Sequence, residues 1–269
     1  MPKINSNGIQ MSYTAHGSGE PLVLVMGLGA PGAKWQEHLA VYQKHFRCIC
    51  IDNRGAGESD KPLLDAYTTE MMAADTLGVM EALGIKSAHV AGISMGGAIA
   101  QQMALLQPDA VRSLLLVSTF ARAGHYFTRA IEVLRDNIDK MDGNSFSHLL
   151  QWMIFAPEYH ERHFDDLLRR LAEDATQPGM PAYAFKAQCN ACIRHDVHQD
   201  LDKIQVPTLV AAGEADLLAP MYATRELYEG IPSAELYLAK GGGHTHHWEQ
   251  LDAFNEASLS FLLKQRQIT

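Results

Sequence analysis

Apolar residues along this chain fall into two kinds of run, and the two alternate. Continuous apolar runs at 22–26, 46–51, 90–92, 111–118 and Thr208–Gly213 predict short strands covered on both faces. Stretches of helical spacing lie between them, at 35–44, from a Thr68 cap to about 83, at 98–106 before Pro108, at 221–229, and from about 249 onward. Near the start, Asn7-Gly8 separates two short strand runs at 4–5 and 9–13, a hairpin signal. Ala234–Ala239 reads as the last strand. This alternation predicts an α/β fold, a mostly parallel sheet with helices on both faces.

The pattern changes between about 120 and 204. Helical stretches at 130–137, 147–155, 159–173 and 183–195 follow one another with no strand run, punctuated by Pro157, Pro178-Gly179 and Pro181. The expected organisation is a core of 1–120 and 204–269, with 121–203 inserted between two strands as a helical cap.

One junction carries chemistry. Val90-Ala91 leads into Gly92-Ile93-Ser94-Met95-Gly96-Gly97, and an Ala-rich helical stretch follows at once. A serine at the tip of so sharp a strand-to-helix turn sits in strained backbone, and side chains two residues to either side would clash with the turn. Gly92 and Gly96 remove those side chains, and the helix N-terminus points its unpaired N–H groups at the same spot.

G-I-S-M-G-G resembles the nucleophile elbow of the α/β-hydrolase superfamily. The segment Asp52-Asn53-Arg54-Gly55-Ala56-Gly57-Glu58-Ser59 is similar to a loop of those proteins that shapes the sheet edge. The resemblance implies an oxyanion hole built from two backbone N–H groups. One comes from the loop Gly27-Leu28-Gly29 after the third strand run and the other from the residue after the nucleophile, so the implied donors are Leu28 and Met95. Met26-Gly27 stands where many members have His-Gly, and a backbone donor is indifferent to that change.

A serine hydroxyl needs a base within hydrogen-bond reach and a third group to fix that base. Asp216 follows the strand Thr208–Gly213, and His244 follows Ala234–Ala239 within Gly241-Gly242-Gly243-His244. Both therefore fall at C-terminal strand ends, the ligand edge of an open parallel sheet. Glu214 is a rival acid, and His246 and His247 are rival bases. The chain order implied by the resemblance, serine then acid then histidine, favours Ser94, Asp216 and His244 as the catalytic set.

Gly27, Gly29, Trp152 and Phe155 are candidate pocket residues. His195, His198, His246 and His247 are expected to face solvent or to stand behind the site, and Trp248 to pack at the start of the last helix. Cys48 and Cys50 share a strand face and read as small buried hydrophobes, while Cys189-Asn190-Ala191-Cys192 is a C-x-x-C on a cap helix, where its two cysteines share a face and a redox or zinc role is disfavoured. The run His244-Thr245-His246-His247 lacks an accompanying cysteine or carboxylate pattern, and no metal is expected.

Composition narrows the classes. The 269 residues suit one large α/β unit with an insertion, and 47% hydrophobic residues supply a large core. A net charge of −9 argues against nucleic acid as a partner. The longest apolar run, 22–30, is too short for a membrane span. Four cysteines and a polar start predict a reducing, cytoplasmic setting without a signal peptide. Oligomeric state leaves no mark in the sequence.

The resemblance implies a cofactor-free serine hydrolase that cleaves a small-molecule carboxylic ester or lactone through an acyl-enzyme. Its short motifs are most similar to 3-oxoadipate enol-lactone hydrolases and the aminoacrylate hydrolase of pyrimidine breakdown. Cleavage of a C–N bond stays open, as does perhydrolysis of the kind carried out by metal-free haloperoxidases. A serine nucleophile disfavours the aspartate-dependent haloalkane dehalogenases. A hydrolase-like small-molecule receptor is the alternative from another class.

Overall fold

The strands are β1 (Lys3–Ser6), β2 (Ile9–His16), β3 (Pro21–Val25), β4 (Arg47–Ile51), β5 (Ala88–Ile93), β6 (Val111–Val117), β7 (Thr208–Gly213) and β8 (Ala234–Ala239). They form one sheet in the order β1-β2-β4-β3-β5-β6-β7-β8. β2 pairs antiparallel with β1 and β4, and every other pairing is parallel. The computed structural model describes residues 1–174 and 179–266. Pro178, one of the expected breaks, lies outside them.

Helices cover both faces, as the continuous apolar strands require. Every residue of β5 and β7 is buried. Alternate side chains of one strand enter different cores: Val23, Val25, Ile49 and Ile51 pack on one face, and Leu22, Leu24, Cys48 and Cys50 on the other. The two cysteines therefore share a face, as their spacing predicts. Each such aliphatic side chain contributes about 1.5–3 kcal/mol by leaving water.

Helix α1 spans Gln36–Tyr42 after a 3-10 turn at Gly32–Trp35, α2 spans Thr69–Ala82, and α3 spans Met95–Leu106. Thr68 caps α2 by accepting the Met71 N–H at 3.0 Å. Between β6 and β7 the regular helices are α4 (His125–Asn137), α5 (Gly143–Ile154), α6 (Pro157–Arg162), α7 (Phe164–Asp174) and α8 (Ala182–Arg194). After β7 come α9 (Met221–Gly230), α10 (His246–Glu249) and α11 (Leu251–Lys264).

One predicted helix is divided. The stretch 159–173 breaks at His163 (φ −127°, ψ 31°), and Asp165 and Asp166 in the first turn of α7 favour a fresh N-terminus there. The last helix begins at Leu251, close to where it is expected, and the unforeseen short α10 is set off from it by Gln250 (φ −126°, ψ 50°), whose side chain donates to the Lys240 carbonyl at 2.9 Å.

The strand order reverses at β3, which has β4 on one side and β5 on the other. The crevice outside the carboxyl ends of β3 and β5 is the usual ligand position in such a sheet. Register pairs Val25 with Gly92, Ile93 with Val117, Val117 with Ala211 and Gly213 with Ala239, so the loops leaving these strands meet at one rim.

Candidate active site

Ser94 is the hinge between β5 and α3. Its φ of 54° and ψ of −117° lie where non-glycine residues rarely go. Its N–H donates to the Val117 carbonyl at 2.8 Å, which ties the turn to β6. A Cβ on Gly92 would strike the Gly96 carbonyl, and one on Gly96 would strike the Val25 carbonyl. Both obstacles are backbone and cannot swing aside, which is the physical content of the G-x-S-x-G spacing. Such strain costs on the order of 1–3 kcal/mol and persists only where its surroundings enforce it.

The loop after β3 lies against this turn. A Cβ on Gly27 would stand 3.2 Å from the Ser94 Cβ. Leu28 lines the cavity beside Ser94. Met95 is the first residue of α3, so its N–H has no intrahelical acceptor. Gly29 turns its N–H away, to Gln188 Oε1 at 2.8 Å, while Gln188 Nε2 donates to the Arg54 carbonyl at 2.8 Å. Gln188 is fully buried on α8 and joins the Gly27–Gly29 turn to the Asp52–Ser59 loop. Nothing in the sequence marks it, because a glutamine among alanines and cysteines on a helix reads as an exposed position.

His244 Nδ1 lies 2.9 Å and 3.0 Å from the two Asp216 carboxylate oxygens. Asp216 Oδ1 also accepts the N–H groups of Leu218 and Ala219, both at 2.8 Å. Burial alone pushes the Asp216 carboxyl up. The His244 ring and these N–H donors outweigh it, and the net shift is downward, keeping the carboxylate ionised. An ionised acceptor on Nδ1 holds the proton there and leaves Nε2 bare. The rival acid Glu214 is exposed and accepts the Gly241 N–H at 3.0 Å, away from the imidazole.

The end of β6 fixes both partners. Ser118 Oγ donates to the His244 carbonyl and Thr119 Oγ1 to the Ser94 carbonyl, each at 2.7 Å. Ala215 N–H donates to the Gly242 carbonyl at 2.8 Å, tying the aspartate turn to the histidine turn. Ser94 and His244 line one cavity of about 480 Å³. Among the described residues no hydrogen bond joins the Ser94 hydroxyl to His244.

The cavity walls are mostly aliphatic and aromatic: Met26, Ile93 and Leu218 from the sheet side, Phe127, Ile131, Leu134, Leu150, Phe155 and Phe185 from the inserted helices. Charged residues also line it, Lys34, Glu37, Arg170 and Glu173. Arg170 is already bonded to Asp166 at 3.1 Å and Glu37 at 3.2 Å. The insertion is fastened to the histidine turn: Thr245 N–H donates to the Ile154 carbonyl at 3.1 Å, and Glu249 accepts from Ala156 N–H at 3.1 Å and Gly243 N–H at 2.9 Å.

Several expectations are corrected. Gly27 and Phe155 line the cavity, but Trp152 does not: it is 62% exposed, on the outer side of α5. Gly29 is not a lining residue either, its N–H being held by Gln188. His246 and His247, expected to face solvent or to stand behind the site, are both buried, and His247 and Trp248 line the cavity, because the short helix α10 turns the chain inward directly after His244. His195 is buried too, with Nδ1 2.9 Å from Thr69 Oγ1. Cys189 and Cys192 are free and buried, and burial pushes both thiols up, Cys192 to about 12.

An open sheet reversing at β3, a strained serine between β5 and α3, and an Asp–His pair after β7 and β8 define a class, and the α/β-hydrolase fold family model matches residues 20–251. The chain belongs to that family. It is 30% identical over 97% of its length, and 98% of the relative's, to RutD of Azorhizobium caulinodans, a protein provisionally named as a carbamate hydrolase. The solved enol-lactonase from Burkholderia xenovorans LB400 superposes with a TM-score of 0.85 at 27% identity, covering 97% of this chain and 100% of that one. A deep-sea metagenome α/β hydrolase, MGS-M2, gives 0.92 at 22% identity over 100% and 99% of the two chains, a likeness of fold alone.

Proposed function

We propose that this hydrolase cleaves the carboxylic ester or lactone bond of a small, largely apolar substrate by acyl transfer through Ser94. The observation that carries the reading is a strained serine sharing one cavity with a histidine whose far nitrogen is clamped by a buried carboxylate. The Ser94 hydroxyl attacks the substrate carbonyl while His244 Nε2 takes its proton, and Asp216 stabilises the imidazolium. The N–H groups of Leu28 and Met95 hold the oxyanion. His244 returns the proton to the leaving oxygen, then activates the water that releases the acid and frees Ser94. The Ser94–His244 hydrogen bond forms on this reading as substrate binds, since catalytic contacts tighten in the Michaelis complex. Segment 121–203 acts as a cap that supplies the apolar wall and keeps water from the acyl-enzyme.

The RutD relative favours a second reading, a carbamate or enamine C–N bond broken by the same groups with nitrogen leaving. A panel of p-nitrophenyl esters, lactones and carbamates, assayed on wild type and Ser94→Ala, separates the two by relative kcat/KM. Steady turnover abolished in Ser94→Ala, with the melting temperature retained, supports acyl transfer. Turnover unchanged in that variant overturns it. A single burst without turnover is the behaviour of a receptor.

A further inference from the structure

One wall of the cavity holds a polar chain that the acyl-transfer chemistry does not use. His38 Nδ1 lies 2.7 Å from Asn255 Oδ1, and His38 Nε2 lies 3.0 Å from His247 Nδ1. An amide oxygen only accepts, so His38 Nδ1 carries the proton in its bond to Asn255. Burial is the largest effect on both rings and lowers both pKa values, that of His38 to about 4, so each carries a single proton at neutral pH. His38 Nε2 is then a lone pair, and the proton between the two rings belongs to His247 Nδ1. The remaining nitrogen of His247, Nε2, is bare. Among the described residues no hydrogen bond engages it, and His247 lines the same cavity as Ser94 and His244.

We propose that His247 is a specificity-determining residue whose Nε2 accepts a hydrogen bond from a hydroxyl or N–H of the substrate, with Asn255 and His38 fixing it as an acceptor. The proposal rests on the acyl-transfer reading only in taking this cavity as the substrate site. A buried lone pair is costly when unmet, and a site built to meet a donor rejects the isostere lacking it. The preferred substrate therefore carries O–H or N–H near the reacting carbonyl, where a purely hydrocarbon acyl chain has none.

Matched p-nitrophenyl esters that differ by hydroxyl for methyl test this, lactate against isobutyrate and 3-hydroxybutanoate against 3-methylbutanoate. Wild type is expected to favour at least one hydroxylated member. The kcat/KM ratio of that pair should fall about tenfold in His247→Phe, the size of one hydrogen bond, and recover in His247→Gln, which keeps an acceptor. No preference in wild type, or a ratio untouched by His247→Phe, overturns the proposal. Nitrogen-15 spectra of histidine-labelled native protein give a second readout that needs no variant. They should show His247 protonated at Nδ1 and bare at Nε2, with Nε2 shifting on addition of the hydroxylated acid and not of its methyl isostere. A proton found on Nε2 overturns the proposal. Ester turnover that survives Ser94→Ala defeats the acyl-transfer reading while leaving the tautomer and shift measurements standing.

Discussion

Ser118 Oγ donates to the backbone carbonyl of His244 at 2.7 Å, so the end of β6 holds the turn that carries the imidazole. Ser118 is itself held at a positive φ of 46°, and its N–H bonds to the Ala211 carbonyl at 2.8 Å. The neighbouring Thr119 holds Ser94, so one strand end sets the separation of hydroxyl and imidazole. Ser118→Ala should lower kcat on p-nitrophenyl acetate about tenfold with KM little changed, since displacement of a positioned group by a fraction of an ångström acts on the chemical step. It should cost on the order of 1 kcal/mol of stability for the lost buried bond. Steady-state kinetics with urea unfolding of the same variant checks both, and an unchanged kcat contradicts the positioning role.

Gln188 on α8 does the corresponding work for the Gly27–Gly29 turn, which carries a proposed oxyanion donor, Leu28. Gln188→Leu fills the volume but orphans the Gly29 N–H and the Arg54 carbonyl. The expected result is a loss of about 10- to 100-fold in kcat, in line with a disturbed oxyanion donor. Gln188→Glu keeps the acceptor for Gly29 and should retain more activity than the leucine variant. Equal activity in all three proteins would show that the turn holds its shape unaided.

Gly92→Ala tests the steric basis of the elbow. The added methyl meets the Gly96 backbone carbonyl, so relief requires the strand or the helix to move. The variant should lose at least about 2 kcal/mol of stability along with most turnover. A substitution at the exposed Gly143, where a Cβ meets nothing within 4 Å, serves as the control and should leave the melting temperature almost unchanged.

The buried histidines make stability depend on pH. Burial, the largest effect in each case, lowers His38, His195 and His246 to about 4, and His247 well below its ordinary 6.5. Between about 4 and 6.5 the unfolded chain binds protons at these sites and the native chain does not, so stability rises with pH across that window. It is fully present above 6.5 and is lost as the solution is acidified, by up to about 1.4 kcal/mol per pH unit for each histidine. Melting temperatures at pH 7.5, 6 and 5 should fall in that order, ahead of any protonation of ordinary carboxylates. A flat profile across those values contradicts neutral burial of the four rings.

Much of this was legible in the chain. Local rules were enough for the strands and helices, because continuous apolar runs and their glycine and proline borders act within a few residues. They were enough for the Ser94 turn too, since Gly92 and Gly96 are needed by atoms no farther away than the neighbouring strand. Strand ends narrowed the acid to Asp216 or Glu214 and the base to His244, His246 or His247, and the resemblance to α/β-hydrolases chose Asp216 and His244 among them. Local rules were silent just after His244, where the short helix at 246–249 was not foreseen and the pattern left His246 and His247 either facing solvent or standing behind the site.

The amino-acid order alone was enough for the alternation of elements, the run of helices between β6 and β7 and the position of the turn that strains Ser94, all consequences of short-range sterics and of which residues leave water. Packing in three dimensions was needed to show that Gln188 braces the Gly27–Gly29 turn, that Trp152 points outward while Trp248 lines the cavity, and that His38 meets both Asn255 and His247, each more than two hundred residues away in the chain. A polar side chain's role is set by what stands at the end of its hydrogen bond, and for residues so far apart in the chain that partner is chosen by packing.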